Sequence, residues 1–145
     1  MNLDTLYQEV ILDHYKNPLN KKLSPTFDVQ VHHINTSCGD EITLNLTAVD
    51  GVITAITWDG VGCSISQASV SIASELLIGK TFEQAQAISD EFVDLMQSKG
   101  KKVGDEQTLE DAVALAGVSQ YPARIKCALL GWMAIKDASI QSQTK

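Results

Sequence analysis

The sequence predicts an α+β fold, a small three-stranded antiparallel sheet with helices packed on one face. Three observations carry this. An amphipathic helical pattern opens the chain, three extended segments follow one another between residues 28 and 58, and the chain beyond residue 62 reads mostly as helix. Strands grouped together, rather than alternating with helices, favour an antiparallel meander over a parallel sheet. The 145 residues suit a single domain over 1–145, long enough to bury one core without covalent staples.

Each element has a local reason. Leu3, Leu6, Tyr7, Val10, Ile11 and His14 recur at spacings of three and four, one face of a helix running to about Tyr15. Asn17-Pro18 ends it, because proline disfavours helical geometry in the residue before it. A polar connection through Lys21, Lys22, Ser24 and Pro25 leads to a β-branched stretch, Asp28 to Ile34. From Glu41 to Val49, Ile42, Leu44, Leu46 and Ala48 alternate with Thr43, Asn45 and Thr47, the pattern of a half-buried strand. Val52 to Trp58 repeats it, and Asp50-Gly51 between the two is a hairpin-turn dipeptide.

Ser64 with Gln67 predicts a capping box, followed by a helix burying Ile65, Ala68, Ile72 and Leu76 and ending at Gly79. Thr81 with Gln84 predicts a second box, opening a helix toward Met96. Residues 97–107 are polar and glycine-containing, an exposed loop. Thr108 with Asp111 opens a short helix ending near Gly117. Pro122 suits the first turn of a last helix to about Asp137, and residues 141–145 read as a frayed tail. No internal repeat is visible.

Eighteen acidic residues outweigh eleven basic ones, for a net charge of −7. A nucleic-acid partner calls for a basic cluster, and here the only dense one is Lys99, Lys101 and Lys102, with acidic residues following. No nucleic-acid role is expected. The longest apolar run, Cys127 to Ile135, is far shorter than the ~20 residues of a membrane span. The acidic, amphipathic first residues do not read as a signal peptide. Cytoplasmic residence is therefore the expectation, and in that reducing compartment three cysteines read as thiols or metal ligands rather than disulfides.

The candidate chemistry lies in those cysteines and one aspartate. Cys38-Gly39-Asp40 stands at a turn before a strand, and Gly39 allows close backbone approach. Cys63 follows Gly60-Val61-Gly62 near a helix N-terminus, where amides and the helix dipole favour thiolate. Cys127 lies early in the last helix, flanked by Arg124 and Lys126. Two readings stay open on spacing alone. Free cysteine is among the most buried residue types, so each can be a plain core thiol. If all four residues converge, three thiolates and a carboxylate suit a tetrahedral zinc. Such a centre would carry excess negative charge, which Arg124 and Lys126 could offset while attracting an anionic substrate group. Solvated helix face is the competing reading for both. His32 and His33 point to opposite faces of a strand, so at most one could join a common site; both read as structural, as does His14.

Taken in order, several segments resemble the IscU/NifU-type iron–sulfur cluster assembly proteins, most closely the SufU branch. They are residues 6–20 (LYQEVILDHYKNPLN), Cys38-Gly39-Asp40, Gly62-Cys63-Ser64-Ile65-Ser66-Gln67-Ala68-Ser69, Gly79-Lys80, and Pro122-Ala123-Arg124-Ile125-Lys126-Cys127. The resemblance covers nearly the whole chain. It implies that Cys38, Asp40, Cys63 and Cys127 bind zinc, with iron or a [2Fe–2S] cluster at the same site as the alternative. It further implies a sulfurtransferase that accepts persulfide sulfur on Cys38 from a pyridoxal-phosphate-dependent, SufS-like cysteine desulfurase. In that picture a desulfurase histidine replaces Cys38 on the metal, and sulfur passes on to a cluster scaffold or to apo-proteins. The alternative implied function is a scaffold on which a [2Fe–2S] cluster is built. Two departures separate the chain from the scaffold branch. Lys126 stands where scaffolds carry histidine before the last cysteine, and Gln120-Tyr121-Pro122-Ala123-Arg124 replaces their Leu-Pro-Pro-Val-Lys chaperone motif. Residues 94–115 resemble the insertion typical of SufU proteins.

Overall fold

Ile42, Leu44 and Leu46 stand at every second position of the central strand, and all three are fully buried in the computed structural model, which describes residues 3–144. That strand, β2 (Asp40–Val49), lies between β1 (Val29–Asn35) and β3 (Val52–Val61) in an antiparallel sheet ordered β1-β2-β3. Leu44 pairs with Val31 on one side and with Trp58 on the other, and Leu46 with Val29 and Ile56. The register thus gathers these large apolar side chains onto one face. Asp50 and Gly51 both take positive φ (53° and 79°), the conformation of a tight two-residue hairpin. The expected third strand continues beyond Trp58 as far as Val61.

The helices cover that face. They are α1 (Leu3–Lys16), α2 (Ser64–Leu77), α3 (Phe82–Met96), the single turn α4 (Glu106–Leu109) and α5 (Pro122–Gln143), with a 3-10 segment, Glu110–Gln120, before α5. α5 packs on β1 and β2, and α2 packs on α5 and β3. Trp132 of α5 stacks on Phe92 of α3, with ring centroids 4.2 Å apart, and its indole N–H donates to Ser69 of α2. At Gly131 a Cβ would stand 2.6 Å from the Val70 side chain, so glycine lets α2 and α5 approach closely. His14 is buried and doubly bonded, Nδ1 to Ser71 Oγ and Nε2 to Asp111 Oδ2, each at 2.9 Å. It fastens α1 to α2 and to the 3-10 segment. No helix among the described residues is long and apolar enough to cross a membrane.

Local expectations hold at Thr81, whose capping box with Gln84 forms in full, and at Pro122, which opens α5. Others are corrected. Ser64 does not cap α2. Cys63 occupies that position without a side-chain cap bond, and the Gln67 side chain instead accepts from Lys21. Asp105, not Thr108, caps α4, accepting from the Gln107 N–H while Thr108 donates to its second oxygen. The short helix expected over 108–117 is mostly 3-10, and Ala112 to Ala116 are all buried, so no one-sided apolar stripe marks it. The tail stays helical through Gln143, held by the buried Ala138 and by bonds from Gln141 to Asp137 and Gln143 to Ser139. Leu6, placed on the inward face of α1, is exposed. The Leu3 side chain and Lys145 lie outside the described residues.

Candidate metal centre

Three chain segments meet at one end of the sheet: the β1–β2 hairpin loop 36–39, the link from β3 to α2, and the second turn of α5. Each brings part of the expected quartet. Cys38 sits half-buried in the hairpin loop, whose closing bond runs from its N–H to the Asn35 carbonyl at 3.3 Å. Gly39 next to it takes φ +69°, a left-handed conformation that bends the loop back into β2. Asp40 is the first residue of β2 and shares parity with Ile42, so its carboxylate is carried to the helix-covered face, fully buried. Cys127, on α5, is also buried.

Cys38, Asp40 and Cys127 come together with ligand atoms all within 4.8 Å of one another. The sulfurs of Cys38 and Cys127 are 2.7 Å apart, and both face the Ala123 carbonyl, at 3.6 and 3.8 Å. Cys63 lies outside this tight group yet borders it, near enough to help push the Cys127 thiol upward. Its own N–H donates to Asp40 Oδ1 at 3.0 Å. Gly62 makes that bond possible, for a Cβ there would stand 2.3 Å from Asp40 Oδ1 and 2.6 Å from Ser66 Oγ.

Electrostatics argue for a cation here. Burial pushes the Cys127 thiol far above its ordinary range. Hydrogen bonds with Cys38 and Asp40, and the charge and hydrogen bond of Cys63, push it the same way. A buried polar atom without a partner is costly, and Asp40 Oδ2 is one. A metal ion would resolve both at once, accepting the bare oxygen as a ligand and holding the thiols as thiolates. The donor set, soft sulfur with one carboxylate oxygen, fits such an ion.

Arg124 is on the first turn of α5, exposed, at the edge of an open groove shared with Tyr7, Ile65 and Tyr121. Among the described residues it makes no ion pair with the cysteine cluster or any other group. Lys126 is likewise exposed. The histidines are structural as read: His32 bonds Glu41 at 2.6 Å on the open sheet face, and His33 bonds Asp137 at 2.8 Å on the covered one.

Asn35, which no sequence motif marks as functional, also stands at the site. Its Oδ1 accepts the Ser37 N–H at 3.2 Å, its carbonyl accepts from Cys38, and its Nδ2 is buried without a partner. Asn35 and Asp40 are a cross-strand pair, so their side chains stand side by side. The available signal was the segment Asn35-Thr36-Ser37, an asparagine placed to bond the backbone two residues on.

Comparisons with known proteins place the chain in a family. Residues 6–128 match the family model described as the NifU-like N-terminal domain. The chain is 46% identical over 136 residues to the zinc-dependent sulfurtransferase SufU of Bacillus subtilis (strain 168), covering 93% of this chain and 90% of that protein. It is 39% identical over 137 residues to the iron–sulfur cluster assembly scaffold protein IscU of Streptococcus pyogenes serotype M1, covering 94% and 84% respectively. A crystal structure of the N-terminal part of a nitrogen-fixing NifU-like protein from Brucella abortus superposes with a TM-score of 0.87 at 26% identity, covering 99% of this chain and 98% of that one. This chain is a member of the NifU-like N-terminal domain family.

Proposed function

We propose that the protein serves iron–sulfur cluster assembly as a zinc-dependent sulfur acceptor, taking persulfide sulfur on Cys38 from a pyridoxal-phosphate-dependent cysteine desulfurase. One observation carries the reading: the candidate ligands differ in how the fold holds them. Asp40 and Cys127 are buried within a strand and a helix, while Cys38 is half-buried on a glycine-flanked hairpin loop. A loop-borne sulfur can leave the cluster without moving the core. The name of the Bacillus relative points to the same chemistry.

Asp40, Cys127 and Cys38 would hold the ion, with Cys63 as the neighbouring fourth ligand. Bound zinc keeps such thiols deprotonated near neutral pH. Once free of the cluster, the Cys38 thiolate attacks the outer sulfur of the desulfurase cysteine persulfide. A new bond forms between Cys38 Sγ and that sulfur, the donor's S–S bond breaks, and the donor cysteine leaves as a thiolate. The Cys38 persulfide keeps the negative charge, so the exchange needs no oxidant, reductant or net proton. Arg124, one helical turn before Cys127 and facing solvent, supplies a positive charge that draws in the anionic persulfide of the approaching desulfurase.

The test mixes the zinc-loaded protein with a cysteine desulfurase and cysteine. Wild type is expected to accelerate turnover and to gain one sulfur on Cys38, and a folded Cys38→Ala variant to do neither. Equal acceleration by that variant would overturn the reading. The IscU relative favours a second one, a scaffold for a [2Fe–2S] cluster on the same residues. A stable coloured species after anaerobic iron and sulfide loading, transferable to an apo-protein, would support it.

A further inference from the structure

Among the described residues, three buried side-chain polar atoms have no partner: Asp40 Oδ2, Asn35 Nδ2 and Gln67 Nε2. The first two belong to one cross-strand pair at the candidate centre. Asp40 Oδ2 is explained by a cation. Asn35 Nδ2 is not, because an amide N–H can only donate. The orientation of this amide is fixed by its other end, since the Ser37 N–H requires an acceptor and finds Asn35 Oδ1. Turning the carboxamide over would set two donors against each other. The side chain is therefore anchored through its oxygen, with a buried donor that no protein group accepts from, beside Asp40 and within the turn that carries Cys38.

An unused donor of this kind fits an electron-rich guest that arrives during function. The guest must sit beside the carboxylate yet be an acceptor, and it must be reachable from the hairpin loop. Sulfur carried on Cys38 meets these conditions. We propose that Asn35 is a sulfur-binding residue, whose Nδ2–H donates to the terminal sulfur anion of the Cys38 persulfide. This rests on the sulfur-acceptor reading above and adds the group that holds the cargo. The amide keeps its proton throughout. It localises the negative charge of the terminal sulfur inside the site and shields it from reductants and from premature return to the donor.

Asn35→Asp separates the two ends of the side chain. The variant keeps an acceptor for Ser37 N–H, hence the turn, but presents a carboxylate oxygen where the donor stood. Asn35→Ala removes both ends. The expected result is that Asn35→Asp, compared per bound zinc because a second carboxylate now faces Asp40, loses its Cys38 persulfide to thiol reductant about tenfold faster than wild type. Tenfold is the low end of what one hydrogen bond to a charged group is worth. Asn35→Ala should lose both the turn's stability and the persulfide's lifetime. If Asn35→Asp restores both, the proposal is wrong and Asn35 is only a turn residue. A readout on the unaltered protein stands independently of whether the variants fold. The side-chain amide proton of Asn35, observed by nitrogen-15 NMR of the zinc form, should move downfield on persulfidation, and an unmoved signal overturns the proposal. Absence of any sulfur on Cys38 of wild type would instead defeat the sulfur-acceptor reading itself.

Discussion

Gly62 is the residue on which the candidate centre is most exposed to a small perturbation. In Gly62→Ala the new methyl would start 2.3 Å from Asp40 Oδ1, 3.0 Å from its Cγ and 2.6 Å from Ser66 Oγ. The carboxylate must shift by roughly 1 Å to regain ordinary van der Waals separation. It has little freedom to do so, being fully buried and bonded at 3.0 Å to the Cys63 N–H. Losing that bond to a charged acceptor costs about 2 kcal/mol, a fall of about 4–8 °C in the melting temperature for a chain of this size. Displacing Asp40 should also weaken zinc by about 10–100-fold, the usual effect of disturbing a ligand's immediate support. Gly79→Ala is the control. Its Cβ meets nothing within 4 Å, and only the positive φ of +87° is strained, at about 1–2 kcal/mol. Chelator competition and thermal melts on both variants separate the effects. The Gly62 variant should lose stability and metal affinity, the Gly79 variant stability alone. Zinc affinity within twofold of wild type in Gly62→Ala would refute the idea that glycine makes room for the Asp40 carboxylate.

Two further predictions concern the frame around the site. His14→Ala removes the bonds to Ser71 and Asp111 that join α1 to two neighbours, and urea denaturation should show a loss of about 2 kcal/mol; a loss below a few tenths would show the clasp to be idle. The His33 hydrogen bond, with a smaller contribution from Gln141, holds the Asp137 carboxyl below its ordinary value of 3.8. A depressed folded value means stability present above 3.8 and lost as pH falls from there through the folded value. Asp137→Asn should therefore be less stable than wild type at neutral pH, with the gap closing as the pH drops below 3.8. A gap that is constant from pH 7 to strong acid would contradict this.

The sheet was legible because β2 spells its own faces: Ile42, Leu44 and Leu46 inward, Thr43 between them. The α3 cap was legible because Thr81 and Gln84 satisfy each other within one turn, with no help from elsewhere. Ser64 and Gln67 present the same spacing and fail, since the helix is capped one residue earlier: the Gln67 N–H already bonds the Cys63 carbonyl, and Asp40 takes the Cys63 N–H from a distant strand. The 3-10 segment escaped for a related reason. Ala112 to Ala116 are buried by contacts with several helices, and continuous burial leaves no period to read. At the candidate centre, Cys38, Asp40 and Cys127 could be named from residue chemistry and from the family resemblance, but their meeting depends on long-range packing of α5 on the hairpin. The place of Cys63, bordering the tight group from outside, and the bare amide of Asn35 are consequences of that packing.

The central claim is that one zinc ion is shared by Cys38, Asp40 and Cys127, with Cys63 completing the set. X-ray absorption at the zinc edge, on protein purified without added metal, tests it most directly. The account predicts about one zinc per chain with three sulfur neighbours and one oxygen, as for a closed tetrahedral site, falling to two sulfurs in Cys38→Ala. A zinc-free protein, or a first shell without sulfur, would contradict it.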